Sequence, residues 1–256
     1  MRLEVEVLAT SEEIGRRAAR VVLDELGAGR LRTLGVATGS SPEQVYAALA
    51  AAGARWDGVE VFALDEYVGL PPGHPQSYAA VVDREVRGPL GLDPARVHVP
   101  DGGARDLDAA CAAYERALEQ RGVDVQLLGI GATGHIGFNE PGSPFSSRTR
   151  VVELTERTVA DNARFFDGPE DVPRRAVTQG VATIARARRH VLIAQGESKA
   201  DAVRAALEGE VTPDCPASAL RTFDDVLVLL DPAAASGLTE RPAGPRRPRP
   251  VPAGAR

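Results

Sequence analysis

Short apolar runs alternate with segments of helical periodicity along most of the chain. Six runs have the length of a strand, at residues 1–9, 34–37, 59–64, 123–130, 190–194 and 226–230. A further segment, 148–154, is predicted as a strand or an extended stretch. Helical spacing occurs at 12–27, 42–51, 107–121, 155–166 and 199–208, with another helix opening at 76–78 and a loop plus helix at 176–187. Strands that alternate with helices predict an α/β fold.

We therefore expect a single Rossmann-like domain, in which helices cover both faces of a mostly parallel sheet. The 256 residues are enough for one sizeable core, and 43% hydrophobic and 26% charged residues are ordinary for a globular protein. This domain is predicted to span 1–238. Residues 239–256 are rich in proline and arginine and have too few apolar residues to offset the entropy of ordering. They are predicted to form a disordered tail.

The net charge of −6 argues against nucleic acid or an anionic membrane as a partner. No apolar run is long enough to span a membrane, and the N-terminus is typical of a strand rather than a signal peptide. Cys111 and Cys215 lie far apart without metal-ligand spacing, so we expect reduced, buried cysteines. Together these features predict a cytoplasmic protein without a bound metal.

The stretch LLGIGATGHIGFNEP, residues 127–141, combines a predicted strand end with chemically active side chains. Its glycines leave backbone N–H groups free and allow a ligand to approach closely. His135, Asn139 and Glu140 lie among them, at the carboxyl end of a strand, where open α/β sheets bind ligands. A carboxylate that holds one ring nitrogen of His135 would raise the basicity of the other. The alternative is a core histidine whose hydrogen bonds are satisfied by its neighbours.

The turn Thr38-Gly39-Ser40-Ser41 lies between a predicted strand and a helix that begins at Pro42. Its hydroxyl and N–H groups precede a helix N-terminus, which carries partial positive charge and suits a phosphate. The Gly-Lys-Ser/Thr ending of a P-loop is missing. Helix capping by Ser41 is the alternative explanation.

Two carboxylates and two cations are further candidates. Asp65 and Glu66 follow the strand at 59–64, and their side chains should point to opposite sides of an extended backbone, so only one can enter a given pocket. That carboxylate could act as a general base, and the alternative is a helix cap or a surface ion pair. Arg164 and Lys199 lie near predicted helix ends, and each, taken alone, is typical of a solvated surface charge.

Seven segments occur in order: ATGSSPEQVY, LDEYVGLPPGHPQSY, GIGATGHIGFNEPGS, SRTR, NARFF, AVTQGVATI and GESKADAV. Together they resemble the glucosamine-6-phosphate deaminase (isomerase) family, from the N-terminus to about Ser236. The resemblance implies an enzyme without a cofactor that converts glucosamine 6-phosphate and water into fructose 6-phosphate and ammonia. It implies an amino-sugar phosphate as the small-molecule partner and leaves a homo-oligomer open. The choice between gluco and galacto epimers depends on pocket geometry that these motifs do not fix.

The resemblance also implies roles for individual residues. The position of His135 assists opening of the sugar ring, and the position of Glu140 supports and orients the imidazole. The position of Asp65 takes the C2 proton and delivers it to C1. Cations and N–H donors together suit a dianion. The residues that resemble the phosphate clamp are 38–41, Arg164 and Lys199.

One position departs from the family pattern. Many members have an aspartate two residues before the histidine, as a further member of the ring-opening group, and this chain has Thr133 there. A hydroxyl can form a hydrogen bond, but it supplies no negative charge beside an imidazolium. We therefore expect slower ring opening or a shifted substrate, while Asp65, the base for enolisation, is unaffected.

Two other interpretations remain open. The related 6-phosphogluconolactonases have an arginine where this chain has Tyr67, and a Ser-Leu-Phe-Pro ending where it has residues 138–141. A non-catalytic sugar-phosphate sensor would keep the pocket and lose ring opening, and Thr133 is its only support in the sequence. The deaminase is the interpretation that we expect.

Overall fold

The computed structural model describes residues 1–239, and residues 240–256 lie outside this range. Its strands are β1 (Arg2–Val7), β2 (Thr33–Val36), β3 (Glu60–Ala63), β4 (Asp65–Tyr67), β5 (Val97–His98), β6 (Val125–Gly129), β7 (Arg150–Glu153), β8 (Arg175–Thr178), β9 (Arg189–Ala194) and β10 (Asp225–Leu230). Seven of them form one sheet in the order β1-β10-β9-β6-β2-β3-β5, in which every neighbouring pair is parallel. The other three form a small antiparallel sheet in the order β4-β8-β7.

Helices connect most of these strands within the described range. They are α1 (Ser11–Gly27), α2 (Glu43–Ala51), α3 (Tyr78–Val82), α4 (Gly88–Leu90), α5 (Leu107–Arg121), α6 (Glu156–Asn162), α7 (Val181–Ile184) and α8 (Ala200–Glu208). A π-helical turn, Asp83–Arg87, joins α3 to α4. The 3-10 turns include Ala163–Phe165 after α6 and Glu197–Lys199 before α8.

Alternate side chains of the central strands enter two separate cores. Leu127 and Val191 pack on one face of the sheet with α1 and α2. Leu128 and Leu192 pack on the other face with α7 and α8. Because successive side chains of a strand point to opposite faces, each central strand contributes to both cores. The predicted fold, a mostly parallel sheet with helices on both faces, is confirmed.

The strand order reverses between β2 and β6. From β2 the chain continues to β3 and β5 on one side, and β6 lies on the other side of β2, followed outward by β9 and β10. The two strands pair in parallel, with Leu34 opposite Val125 and Gly35 opposite Gln126. Their following loops therefore open side by side at the carboxyl edge of the sheet. Open α/β sheets bind ligands at such a reversal.

Two segments differ from the sequence prediction. The loop plus helix predicted at 176–187 is wrong in its first part, because Arg175–Thr178 is a strand and only Val181–Ile184 is helical. The strand pairs with β4 and β7, and its pairing with β4 joins residues more than a hundred positions apart, so no local pattern marks it. The helix predicted at 155–166 ends as an α-helix at Asn162 and continues as a 3-10 turn.

Three bulk expectations can be compared with the structure. Cys111 and Cys215 are free and buried, as predicted. Within residues 1–239, no helix has both the length and the apolar character needed to cross a membrane. The disordered tail predicted at 239–256 lies outside the described residues, apart from Thr239.

His190 of β9 is expected to make the stability of the fold depend on pH. It is fully buried, its ring lies 4.7 Å from that of Phe223, and Nε2 lies 2.8 Å from the carbonyl oxygen of Ile184. Burial lowers the pKa of His190, although the hydrogen bond to Ile184 opposes this. The unfolded chain therefore binds a proton more readily than the folded chain. Stability should fall below about pH 6.5, by at most about 1.4 kcal/mol per pH unit for one proton.

Urea unfolding of the wild type and His190→Phe between about pH 7.5 and about pH 5 measures this effect. Phenylalanine keeps a buried ring without a titrating group, so the loss of stability on acidification should be smaller in this variant. Equal slopes in wild type and His190→Phe would assign the acid dependence to other groups.

Candidate active site

A cavity of about 610 Å³ opens at the carboxyl edge of the sheet, over the reversal between β2 and β6. The predicted site residues on its wall are Thr38, Gly39, Ser40, Ser41, Asp65, His135, Arg164 and Lys199. The other two predicted residues, Thr133 and Glu140, lie behind His135, next to its Nδ1 atom. The fold therefore gathers all ten around one cavity. Among the described residues, no cluster of three or more His, Cys, Asp or Glu side chains has a geometry that could hold a metal ion.

The loop after β6 is so tightly folded that a side chain at position 131 would displace the ring of His135. A Cβ atom added at Gly131 would lie 2.0 Å from Cε1 of His135. The N–H group of Gly131 donates to the carbonyl oxygen of His135 at 2.9 Å. Asn139 is fully buried, and its Nδ2 donates to the carbonyl oxygens of Ile136 and Gln179 at 2.9 and 2.8 Å. These hydrogen bonds fix the loop, and with it His135, relative to the end of β8.

Two side chains approach Nδ1 of His135. Thr133 Oγ1 lies 2.9 Å away and Glu140 Oε2 lies 3.5 Å away. At 3.5 Å the second contact is an electrostatic one, and Oε2 of Glu140 is buried without a hydrogen-bond partner. Nε2 of His135 has no hydrogen bond to any residue in 1–239. It is therefore the ring nitrogen that can exchange a proton with a ligand in the cavity.

Glu140 is held by two threonines at the start of α6. The hydroxyl groups of Thr155 and Thr158 both donate to Glu140 Oε1, the first at 3.2 Å. Burial would raise the pKa of Glu140, but contact with His135 and the hydroxyls of Thr158 and Thr155 outweigh it and lower the pKa below its ordinary value. The carboxylate therefore stays charged beside the imidazole. Neither threonine was identified from the sequence.

Asp65 and Glu66 point in opposite directions, as an extended backbone predicts. Asp65 is 5% exposed, lines the cavity, and has no side-chain hydrogen bond within the described residues. Burial raises the pKa of Asp65 well above its ordinary value, and the nearby charge of Glu66 adds to the effect. Glu66 turns away and accepts three backbone N–H groups, two of them from the first turn of α3. Only Asp65 is placed to act on a ligand, and Glu66 is a helix cap.

The turn at 38–41 leads into α2 without capping it. The N-cap residue of this helix is Pro42, which makes no side-chain cap, so the alternative of capping by Ser41 is wrong. Gly39 has a φ of +88°, a left-handed conformation that glycine adopts without strain. The hydroxyls of Ser40 and Ser41 form no hydrogen bond with residues in 1–239. They are available to a ligand.

Arg164 and Lys199 reach the cavity from two different elements, the 3-10 turn after α6 and the turn before α8. Burial lowers the pKa of Lys199, Asp161 opposes this, and Arg164 and Arg157 lower it further. Arg157 also lines the cavity and pairs with Asp161, with Nε and Oδ2 3.6 Å apart. Three cations and one carboxylate therefore meet on this wall. An excess of positive charge suits a dianionic ligand.

Several wall residues were not predicted as site residues, although Tyr67 and Phe138 lie at positions where the chain differs from the lactonases. Tyr67, Tyr78 and Phe138 form an aromatic group, in which the rings of Tyr78 and Phe138 stack 5.9 Å apart with 6° between their planes. The N–H group of Phe138 donates to Thr178 Oγ1 at 3.1 Å, which joins this group to β8. Thr178 lies in the segment predicted as a loop. The available signal for Tyr67 was its position directly after Asp65 and Glu66.

Residues 8–229 match the family model described as glucosamine-6-phosphate isomerases/6-phosphogluconolactonase. A glucosamine-6-phosphate deaminase of Cutibacterium acnes is 54% identical over 242 residues, which cover 93% of each chain. The chain belongs to this family. Another family member, the glucosamine-6-phosphate deaminase of Rhodopirellula baltica, is 48% identical over 244 residues and covers 93% of this chain and 97% of its own. The family predicted from the motifs is confirmed.

Solved structures agree with this assignment to the glucosamine-6-phosphate isomerase family. A protein described as a monomeric glucosamine-6-phosphate deaminase is 42% identical, with a TM-score of 0.89 over 92% of this chain and 100% of that one. A 6-phosphogluconolactonase from Leishmania guyanensis has a TM-score of 0.74 over 94% of this chain and 100% of its own, at 22% identity. At that identity the likeness concerns the fold alone.

Replacing Thr158 should change the titration of Glu140. Thr158→Val removes one of the two hydroxyls that donate to Oε1, so the pKa of Glu140 should rise because its charged form loses a hydrogen bond. Carbon-13 NMR of the Glu140 carboxyl carbon, assigned with Glu140→Gln, follows this titration. Loss of the hydrogen bond should also destabilise the fold by about 1–3 kcal/mol.

Thr183→Val is the matched control. Thr183 is a buried threonine whose hydroxyl donates to Glu115 at 2.8 Å, away from the cavity wall. It should cost a similar free energy of unfolding and leave the Glu140 titration unchanged. An unchanged titration in Thr158→Val would mean that this hydroxyl does not control the charge of Glu140.

Proposed function

We propose that this chain is a glucosamine-6-phosphate deaminase, which converts glucosamine 6-phosphate and water into fructose 6-phosphate and ammonia. The observation that carries the proposal is the position of Asp65 and His135 on the wall of one cavity that also presents Arg164 and Lys199. Relatives that share 48–54% of their residues with the chain bear this activity in their names, which supports the same substrate here. An amino-sugar phosphate has a ring oxygen for His135, a proton on C2 for Asp65, and a phosphate group for Arg164 and Lys199.

His135 would open the sugar ring. The proton on O1 passes to Nε2, the bond between C1 and the ring oxygen breaks, and the ring oxygen receives a proton. The imidazolium that forms in this exchange faces Glu140, whose Oε2 lies 3.5 Å from Nδ1 of His135. A carboxylate kept charged by threonine hydroxyls stabilises that cation. The product of this step is the open-chain aldehyde.

Asp65 would then move a proton between two carbon atoms. Its carboxylate removes the proton from C2 while O1 gains a proton, which gives an enolamine. It then returns the proton to C1 while the amino group loses one, which gives an imine at C2. Water adds to C2 and ammonia leaves, so that fructose 6-phosphate is formed. The raised pKa of Asp65, caused by burial, makes it a stronger base than a solvated aspartate. Because Asp65 has no hydrogen bond to any described side chain, both of its oxygen atoms are free for this transfer.

The phosphate group would bind between the turn at 38–41 and the two cations Arg164 and Lys199. Free hydroxyl groups at Ser40 and Ser41 and the start of α2 supply donors and partial positive charge. Arg164 and Lys199 supply formal charge from the opposite elements. Binding energy from this remote group would hold C1 and C2 near Asp65, which favours the proton transfer by orientation.

Two alternatives have less support. The 6-phosphogluconolactonases are similar to the chain in fold at 17–22% identity. The position where they have arginine is Tyr67, which is part of the aromatic group. A sensor would bind sugar phosphates without turnover, and its support is Thr133 in place of an aspartate. A location in the cytoplasm stays a prediction, and a homo-oligomer, which the sequence left open, is not tested. The solved relative with 42% identity is described as monomeric, which favours a monomer here.

Asp65→Asn should greatly slow deamination. An amide cannot accept the C2 proton, so kcat should fall by about 10²–10⁴-fold, with a smaller change in KM. Release of ammonia and of fructose 6-phosphate from glucosamine 6-phosphate, measured separately, tests this. Glu66→Gln is the control, because its side chain lies on the other side of the backbone, and it should lower stability more than kcat. Unchanged turnover in Asp65→Asn would contradict the mechanism, and lactone hydrolysis without ammonia would favour the lactonase.

Thr133→Asp should speed ring opening. An aspartate would put a negative charge where Thr133 Oγ1 lies, 2.9 Å from Nδ1 of His135, and so stabilise the imidazolium. We expect kcat/KM for glucosamine 6-phosphate to rise by up to about tenfold. Thr133→Asn has the same shape without the charge, and it should show no gain. If both variants behave alike, the missing charge does not limit the reaction.

A further inference from the structure

Lys199 is the single lysine of the chain. Lysine and arginine together number 30, so the other 29 cationic side chains of this kind are arginines. A guanidinium group stays protonated in proteins, whereas the amine of lysine can lose its proton and attack a carbonyl carbon. Lys199 is therefore the one such side chain that can become a neutral amine. It lies on the cavity wall.

The surroundings of Lys199 raise the fraction of free amine above that of a solvated lysine. Its side chain makes no hydrogen bond or ion pair within the described residues. Burial lowers the pKa of Lys199, Asp161 opposes the shift, and Arg164 and Arg157 add to it. The two arginines that disfavour the ammonium form are also cations that attract an anion. A phosphate group and a nucleophilic amine would thus meet in one place.

We propose that Lys199 is an acylation site for small acyl phosphates. Such a molecule carries a phosphate group, for which the wall has cations and free hydroxyls, joined to an activated carbonyl carbon. The amine nitrogen attacks this carbon, the bond from the carbon to the phosphate oxygen breaks, and inorganic phosphate leaves. The nitrogen loses one proton, and the product is an amide. The phosphate of the reagent directs it to Lys199.

Acylation would remove a charge from the cavity. The amide is neutral, so one of the cations beside the turn at 38–41 is lost. This consequence rests on the proposed function, because it predicts weaker binding of the sugar phosphate. The acylation itself does not require that the chain be a deaminase.

Acetyl phosphate and the purified chain test the proposal. The purified polypeptide is prepared so that it starts at Met1, and the α-amine of this residue, which is 84% exposed, serves as an internal comparison. Mass spectrometry of peptides gives the rate at each amine. Lys199 should be acetylated at least about tenfold faster than Met1, because binding brings the reagent to the amine. Inorganic phosphate should slow the reaction at Lys199 alone. Equal rates at the two amines, or no protection by phosphate, would overturn the proposal.

Two comparisons test whether the phosphate group of the reagent, rather than the reactivity of the amine alone, selects Lys199. The N-hydroxysuccinimide ester of acetic acid has no phosphate group, so it should lose the preference for Lys199. Arg164→Gln should slow acetylation of Lys199 by acetyl phosphate more than by the ester, because the ester loses only the effect of Arg164 on the pKa of Lys199. Arg204→Gln is the control, since Arg204 is an exposed residue of α8 away from the cavity wall. A preference for Lys199 that is the same for both reagents would show that phosphate binding plays no part.

The kinetic consequence is measured on the acetylated protein and on Lys199→Gln. Both should show a KM for glucosamine 6-phosphate raised at least about tenfold, with a smaller change in kcat. If the unmodified chain releases no ammonia, the proposed function fails while the acetylation rates still decide the present proposal. If it deaminates normally and Lys199 reacts no faster than Met1, the acylation site fails and the function stands.

Discussion

The parallel pairing of β2 with β6 determines where ligand chemistry can take place. The chain leaves these neighbouring strands toward opposite sides of the sheet, so their loops do not cover each other and a crevice stays open between them. The small antiparallel sheet adds the remaining wall, because its strand β4 begins at Asp65 directly after β3 ends. One sheet thus supplies the glycine-rich loops, and the other supplies the carboxylate that faces them.

Two buried carboxylates of this crevice have pKa values shifted in opposite directions, because only one of them accepts hydrogen bonds. Asp65 is buried without a donor from any described side chain, so the effect of burial dominates and its pKa rises. Glu140 is similarly buried, but two threonine hydroxyls and His135 favour its charged form and its pKa falls. Groups whose environments push their pKa values apart are suited to different steps of acid–base chemistry. One cavity can therefore hold both a carboxylate suited to accept a proton, Asp65, and a carboxylate that stays charged beside an imidazole, Glu140.

The parts of the site that follow a strand along the chain could be predicted from sequence. Thr38, Asp65 and His135 each lie within a few residues of an apolar run, and parallel strands bring such positions to one edge. The contacts made across elements could not be predicted in this way. Thr158 reaches Glu140 only after α6 folds over the loop, and β8 is recognisable as a strand only through distant partners. Loop geometry likewise places Thr133 Oγ1 nearer to Nδ1 of His135 than Glu140 Oε2, at 2.9 Å against 3.5 Å.

The tight glycine loop limits how descendants of this protein can diversify. A side chain at Gly131 would collide with His135, and a Cβ at Gly137 would come within 3.2 Å of Asp65 Oδ2, in a backbone conformation that only glycine adopts easily. A substitution at either glycine would displace His135 or Asp65, so it would impair the reactive groups rather than change which sugar is bound. The exposed Arg157 on α6 meets no such restriction, and it lines the same cavity. Adaptation to a new substrate should therefore accumulate on α6, while the loop after β6 changes slowly.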